Sequence, residues 1–508
     1  MPVAPKSPQT RPPAAAQVLD ARPDLRIDRD SEQSLSAQLV EQLRSRIDSG
    51  ALRAGERLHT SRALATTLGV SRGTVLTAYD QLIAEGYLRA TQGRGTEVNP
   101  RLENDRPPGA AATKAPTPAV RDASPPERPE RGPLSPGAPL TDTVDSPAWR
   151  AAWREAAKAA HRPVPVAGDP GLRHEIAEHL RRMRGTERET ADITITTGAR
   201  EGLSLLLTAL GSSRGHRVTV GVENPGYPSL RGVAQQFGAE IVALPVDQHG
   251  LDPARLPAHG LQLLIVTPSH QYPLGGSLSL PRRRELLDWA RERGVLIVED
   301  DYDSELREAG SPLPALAALD HPESGVVATL GTFSKTVSPA LATGYLLTPG
   351  SLTPRVHGVR ERLGSPVSGI TQHALAAYLA SGELRRHTVR MRRRYRERRA
   401  AVLRLLADIP GVRAQPMSGG LHAVIALFPE RDAVTQQRAE TALLRASEAQ
   451  QLGAHGLSRY WQQAPDASAT RGLVIGLGGP DEIAFHAALR QLAAACRFVS
   501  TQATQEWD

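Results

Sequence analysis

Residues 106–139 read RPPGAAATKAPTPAVRDASPPERPERGPLSPGAP, ten prolines in 34 residues with no apolar periodicity. Proline removes a backbone donor and fixes φ, so such a stretch makes an extended connector rather than a domain. The 508-residue chain must therefore build its cores on either side of it. Composition and periodicity divide it into a flexible arm over 1–28, a compact unit over 29–100, a connector over 101–139 and a large unit over 140–500.

The remaining composition narrows the class. Hydrophobic residues make up 40% and charged residues 23%, as in globular proteins. A single cysteine, Cys496, rules out an internal disulfide framework and fits a reducing compartment. No apolar run reaches membrane-spanning length and the N-terminus lacks a signal-peptide core, so a cytoplasmic protein with no membrane partner is expected. Net charge is +7, which admits nucleic acid as a partner without establishing it.

In the short unit, Leu35, Leu39, Leu43 and Ile47 recur every four residues and Gly50 closes the helix. A second helix is predicted from about Ser61 to Leu68, stopped by Gly69, and Ser71 caps a third that carries Val75, Tyr79 and Leu82. Two helices joined by a short Gly-containing turn make a helix-turn-helix, and Gln92–Val98 reads as a hairpin, a wing. Residues 29–100 hold nine arginines against eight acidic residues, so position matters more than total charge. Arg62 and Arg72 open the second and third helices and Arg94 sits at the hairpin tip, where arginines reach phosphates and guanine edges. A small three-helix protein-interaction unit is the competing reading of that pattern. Leu35–Val98, with "LGVSRGTV" followed by "GRGT", resembles a GntR-type winged helix; His59 stands where that family usually has proline. The resemblance implies contacts to double-stranded operator DNA from Arg62, Ser71, Arg72 and Thr74, with Arg94 and Gly95 at the wing.

Beyond Leu140, strand-like runs (193–197, 217–222, 262–267, 295–299, 326–330 and 344–347) alternate with helical segments. This is the pattern of an α/β fold with a mostly parallel sheet, whose ligands sit beyond the carboxyl ends of the strands. Of 61 basic residues only four are lysine, and Lys335 alone lies just past a buried strand. Arginine replaces lysine on a surface but not as the amine of a Schiff base; chance survival under arginine bias is the alternative. After another strand comes Glu299-Asp300-Asp301-Tyr302-Asp303, where alternation puts Asp300 and Tyr302 on one face. A carboxylate and a phenol so placed suit a pyridine nitrogen and a 3-hydroxyl, although an acidic strand end also suits Mg²⁺ or a solvated turn. Gly198-Ala199 opens a helix that offers its N-terminus to a phosphate, Tyr227 is placed to stack on a ring, and His270 or Gln271 adds a polar group at a further strand end.

In order, "ENPGY", "TPSHQYPLG", "EDDYDSELR" and "GTFSKTVSPALATGYLL" resemble the class I, fold type I aminotransferases, and with the winged helix the MocR family of regulators. The resemblance spans about Leu134 to Ala495. It implies a multidomain α/β chain, with the winged helix followed by a large domain on a mostly parallel sheet and a smaller α+β C-terminal domain. It implies pyridoxal 5′-phosphate held by Lys335 as the internal aldimine, Asp300 on the pyridine nitrogen, Tyr302 on the 3-hydroxyl and Tyr227 over the ring. Gly198, Ala199 and Thr332 would hold phosphate, and His270 or Gln271 the ring oxygen. Arg471, just before a C-terminal strand, is the nearest match to the substrate-carboxylate arginine. Ala342 and Pro163 replace an arginine and a tyrosine that serve the phosphate in relatives, and Arg200 is the expected substitute. No metal is called for. The implied function is transcription regulation by a homodimer that senses an amino compound or the cofactor itself. A working class I aminotransferase, and a regulator that keeps the domain only as a dimerisation scaffold, are the other readings.

Overall fold

The computed structural model describes residues 25–31, 33–91, 95–103, 132–159, 162–211, 217–307, 313–415, 419–462, 470–479 and 481–506. Most of the expected N-terminal arm, residues 104–131 of the connector and Arg94 lie outside these residues. The chain divides into two compact units, Met1–Ser124 and Pro125–Asp508, described in turn.

In the first unit, helices Leu35–Asp48, Ser61–Leu68 and Arg72–Ala84 are followed by a hairpin of Leu88–Thr91 against Gly95–Val98. Each helix starts on a hydroxyl that satisfies an otherwise unpaired N–H: Ser34 accepts from Ala37 N, Thr60 from Ala63 N and Ser71 from Thr74 N. Gly69, at φ 64°, ends the second helix in the left-handed conformation that glycine adopts without penalty. The four-residue spacing becomes the core, with Leu39, Leu43, Val75, Ala78 and Leu82 all fully buried. His59 fills the proline position through its backbone, its carbonyl accepting the Tyr79 hydroxyl at 2.9 Å.

The second unit is built on an eight-stranded sheet and a four-stranded sheet. The larger runs Ile193–Thr196, Gly344–Leu347, Val327–Thr332, Leu296–Asp301, Leu263–Val266, Thr219–Asn224, Glu240–Asp247, Gly250–Leu251. All its central pairings are parallel except those of Gly344–Leu347, which runs against both neighbours. Apolar side chains of Ile193, Leu264, Ile297, Val298, Leu330 and Leu346 are fully buried, as near-continuous apolar strands require when helices cover both faces. The six expected strands form with every end within two residues of its expected position. Glu240–Asp247 has no counterpart in the sequence reading: Pro245 interrupts its apolar run, and most of its residues are half-buried.

The smaller sheet orders Val412–Ala414, His422–Leu427, Gly472–Gly476 and His455–Gly456, all antiparallel, beside helices Glu383–Leu406, Ala433–Ala449 and Glu482–Glu506. Here one expectation needs correction. Residues 132–139, assigned by composition to the connector, are part of this body: Leu134 is fully buried, its N donates to Leu452 O, and Gly476 N donates to its carbonyl. One leucine among prolines gives no periodicity, so the strand-like pairing was not legible.

Candidate functional site

The carboxyl ends of the parallel strands bring together Gly198, Asn224, Thr267, Asp300 and Thr332 at one edge of the large sheet. Gly344, which begins the antiparallel strand, pairs with both Thr196 and Thr332 at the same edge. Lys335 follows immediately, in the short turn of helix Phe333–Thr336 that Thr332 caps by accepting from Ser334 N. Its ammonium donates to the Gly137 carbonyl at 2.5 Å, so the segment 132–139 closes over the lysine. Gly137 has φ 81°, and a β-carbon there would lie 2.9 Å from Lys335 Nζ.

Alternation along Leu296–Asp301 sorts the acidic run as its period requires. Glu299 and Asp301 turn to the far side, where Glu299 accepts from Leu316 N and Ala317 N, and Asp301 accepts from Arg184 Nε at 3.0 Å. Arg184 is itself buried and also donates to Ser269 Oγ, which compensates charge behind the strand. Asp300 faces the site. It is 4% exposed, and its Oδ1 has no hydrogen-bond partner among the described residues. Burial pushes its carboxyl up to about 8, with Asp301 and Asp303 adding to the rise and Lys335 opposing it. Glu223, another wholly buried carboxylate, is pushed up to about 7 by burial, against a hydrogen bond from the Thr267 hydroxyl at 2.5 Å.

Tyr302 lies within 3.1 Å of both His270 Nδ1 and the His270 carbonyl through its hydroxyl. His270 Nδ1 is also 2.8 Å from Asp303 Oδ2, a buried pair, so the ring nitrogen donates to the carboxylate while the phenol donates to the carbonyl. Gln271 points elsewhere, bonding Pro225 O, Tyr272 O and Leu274 N to hold the turn. Of the two residues left open in the sequence, His270 meets Tyr302 and Gln271 holds the turn. Tyr227 opens helix Pro228–Gln236 and meets the ring of Tyr272 edge-on, with centroids 5.4 Å apart. Tyr272 contacts Tyr302 and Tyr460 in the same way and lies 4.7 Å from the His422 ring. Tyr272, His422 and Glu223 join this group without any distinguishing spacing in the sequence. His422 belongs to the small sheet, so only the packing of two sheets brings it here.

Gly198 precedes helix Ala199–Gly211 with φ 128°, and a β-carbon on it would come 3.7 Å from Thr332 Oγ1. The first turn of a 13-residue helix and the Thr332 hydroxyl thus converge, as an anion requires. Arg200 is exposed on that first turn, and Ala342 has φ 42° with its backbone N bonded to Pro339 O. Arg471 is not brought to this group. Its guanidinium donates to Gln437 and its backbone N to Gln436 Oε1. It precedes strand Gly472–Gly476 at the end opposite Gly476, which pairs with His422, about 16 Å away along the strand.

The donor set fits pyridoxal 5′-phosphate. An amine, an unpartnered buried carboxylate oxygen, a phenol, an aromatic ring and a helix N-terminus meet at one sheet edge.

In the winged-helix unit, Arg62, Ser71 and Arg72 are exposed and Thr74 is half-buried, with Arg72 Nε 3.3 Å from Ser61 Oγ. Gly95, at φ 87°, starts the second strand of the wing. The third helix also exposes Leu76 and Thr77, with Leu76 40% exposed.

Comparison with known proteins accounts for both units. A family model for aminotransferase class I and II matches residues 133–451, and one for bacterial regulatory proteins of the gntR family matches residues 35–98. The chain is 45% identical over 466 residues to the HTH-type pyridoxine biosynthesis transcriptional regulator PdxR of Corynebacterium glutamicum, covering 91% of this chain and 96% of that protein. It is 32% identical over 490 residues to the probable rhizopine catabolism regulatory protein MocR of Rhizobium meliloti, covering 92% and 95%. Among solved structures, an archaeal alanine:glyoxylate aminotransferase aligns with a TM-score of 0.63 at 22% identity, over 71% of this chain and 89% of that one. That likeness shows the fold type I architecture. No helix among the described residues is long and apolar enough to cross a membrane. The chain belongs to the MocR-type, pyridoxal phosphate-dependent transcriptional regulators, in which a gntR-family DNA-binding domain is joined to a class I and II aminotransferase domain.

Proposed function

We propose that this regulator senses an amino compound, or the supply of pyridoxal 5′-phosphate, at the strand-end site and transmits the outcome to its winged helix. The cofactor supplies, when bound, an aldehyde that amines attack and a ring that accepts electrons. Lys335 Nζ is the amine that would hold it. Asp300, whose carboxyl burial pushes up to about 8, would lie against the pyridine nitrogen and keep it protonated. Tyr302, oriented by His270 and in turn by Asp303, bonds the 3-hydroxyl. Tyr227, squared against Tyr272, covers one ring face and excludes water. Gly198, Ala199 and Thr332 bind phosphate, with Arg200 on the same helical turn to add charge in place of the arginine that Ala342 replaces.

Arg62, Ser71, Arg72 and Thr74, with the wing at Arg94 and Gly95, contact operator DNA. The protein acts in the cytoplasm as a homodimer, so that an effector alters the spacing of paired winged helices and hence affinity for two half-sites. The observation that carries this reading is the Asp300 oxygen left without a partner in the group that includes Lys335. The test is the visible absorption spectrum of purified protein after addition of pyridoxal 5′-phosphate. A visible absorption band is expected in wild type and absent in Lys335→Ala. Identical spectra for the two proteins would refute the assignment.

A further inference from the structure

Helix Glu383–Leu406 carries ten arginines against two glutamates, whereas the rest of residues 132–508 holds 32 lysines and arginines against 36 acidic residues. The basic excess of this unit is therefore confined to one helix. Its buried face is occupied by Leu384, Thr388, Met391, Tyr395, Arg398, Val402 and Leu406. The opposite face keeps the same period: Arg385, Val389, Arg393, Arg396, Ala400 and Arg404 are spaced four, four, three, four and four apart. At about 100° per residue they occupy a single arc of about 100°. All but Ala400 are exposed, and Arg386 and Arg390 flank them, also exposed. Glu383 neutralises part of Arg386 and Arg390, and Glu397 part of Arg393. Arg385, Arg396 and Arg404 meet no carboxylate among the described residues. From Arg385 to Arg404 the stripe runs about 28 Å, the length of about eight base pairs of duplex.

We propose that this face is a second, sequence-independent contact for the backbone of double-stranded DNA. The proposal rests on the reading of the chain as a DNA-binding regulator. Charge complementarity favours this occupant, since duplex DNA carries about one negative charge per 1.7 Å. The winged helix adds little net charge of its own, since residues 29–100 hold nine arginines against eight acidic residues, so its basic contacts are local and the larger positive field of the chain lies elsewhere. A second copy of the chain on this face would oppose like charges. A lipid surface would find only Val389 and Leu403 as exposed large apolar side chains on the helix, 14 residues apart.

The test uses the full-length protein, a 60-base-pair random-sequence duplex and salt titration of the binding constant, so no operator need be known. Replacing Arg385, Arg396 and Arg404 together by Gln should lower the slope of log K against log salt by about 2–3, at about 0.9 per phosphate contact, and weaken binding about tenfold or more near 0.1 M salt. The matching triple Lys variant should keep the wild-type slope, which separates charge from any effect on folding. An unchanged slope in the Gln variant overturns the proposal while leaving the winged helix intact. Stripe-dependent binding to vesicles containing phosphatidylglycerol, with an unchanged DNA slope, overturns it in favour of a membrane. If wild type binds no random-sequence duplex the proposal falls, and the DNA-binding reading itself falls only if the protein also fails to bind promoter DNA.

Discussion

Replacing Asp300 by Asn should stabilise the protein free of cofactor, and increasingly so as the pH rises. The carboxyl is pushed from an ordinary 3.8 to about 8 by burial, reinforced by Asp301 and Asp303. The folded state therefore favours the protonated form. Its contribution to stability is complete below about pH 4 and drains away as the pH climbs toward about 8, at up to ~1.4 kcal/mol per pH unit. Between pH 5 and pH 8 the loss has an upper bound of about 4 kcal/mol; relaxation and water entry around a buried ion bring the expected value to about 2 kcal/mol. Asn has nearly the same shape and does not ionise, so the variant escapes the loss. Urea unfolding of both proteins without cofactor at pH 5, 6.5 and 8 measures the difference. It should widen with pH in favour of the variant. The same variant should bind pyridoxal 5′-phosphate about 10–100-fold more weakly, because a charge-assisted hydrogen bond of about 1.5–3 kcal/mol is lost. A variant that is less stable than wild type at pH 8, or a difference that stays constant with pH, would refute the reasoning.

Three further outcomes are expected. Arg72→Ala should cost about 1–3 kcal/mol of specific DNA binding, read by fluorescence anisotropy on promoter DNA, without moving the cofactor's absorption band. Arg184→Met strands Asp301 and Glu299 as buried charges and should cost about 3–5 kcal/mol in urea unfolding at pH 8, with Asp301→Asn restoring part of that loss in the double variant. Arg200→Gln should weaken cofactor affinity about tenfold if its guanidinium reaches the phosphate; unchanged affinity in a fluorescence titration shows that it does not.

Much of the candidate site is readable from local pattern, and the rest is not. Asp300 and Tyr302 follow from the two-residue period of an extended chain, and Lys335 from its rarity beside a strand end. The choice between His270 and Gln271 needed coordinates, since both lie on one turn and only the packing decides which meets Tyr302. Tyr272 sits among the same turn residues without a distinguishing spacing, yet it squares Tyr227 and Tyr302. Arg471 shows the opposite failure. An arginine before a strand looks poised for a carboxylate, but the register places that end of the strand beside helix Ala433–Ala449.

The sequence by itself determined what depends on neighbours along the chain: capped helices, strand runs, the wing, and the order of motifs that resembles a known family. The structure decided what depends on contacts between distant residues. The tail of the connector covers Lys335 through Gly137, about two hundred residues away in sequence. His422 joins His270 from a different sheet. Ten arginines resolve into a buried set and an exposed stripe because one helix has a face against the core and a face toward solvent. Periodicity fixes faces, whereas burial, desolvation and charge pairing depend on which faces meet; for Asp300 and Lys335 that meeting occurs only in the folded chain.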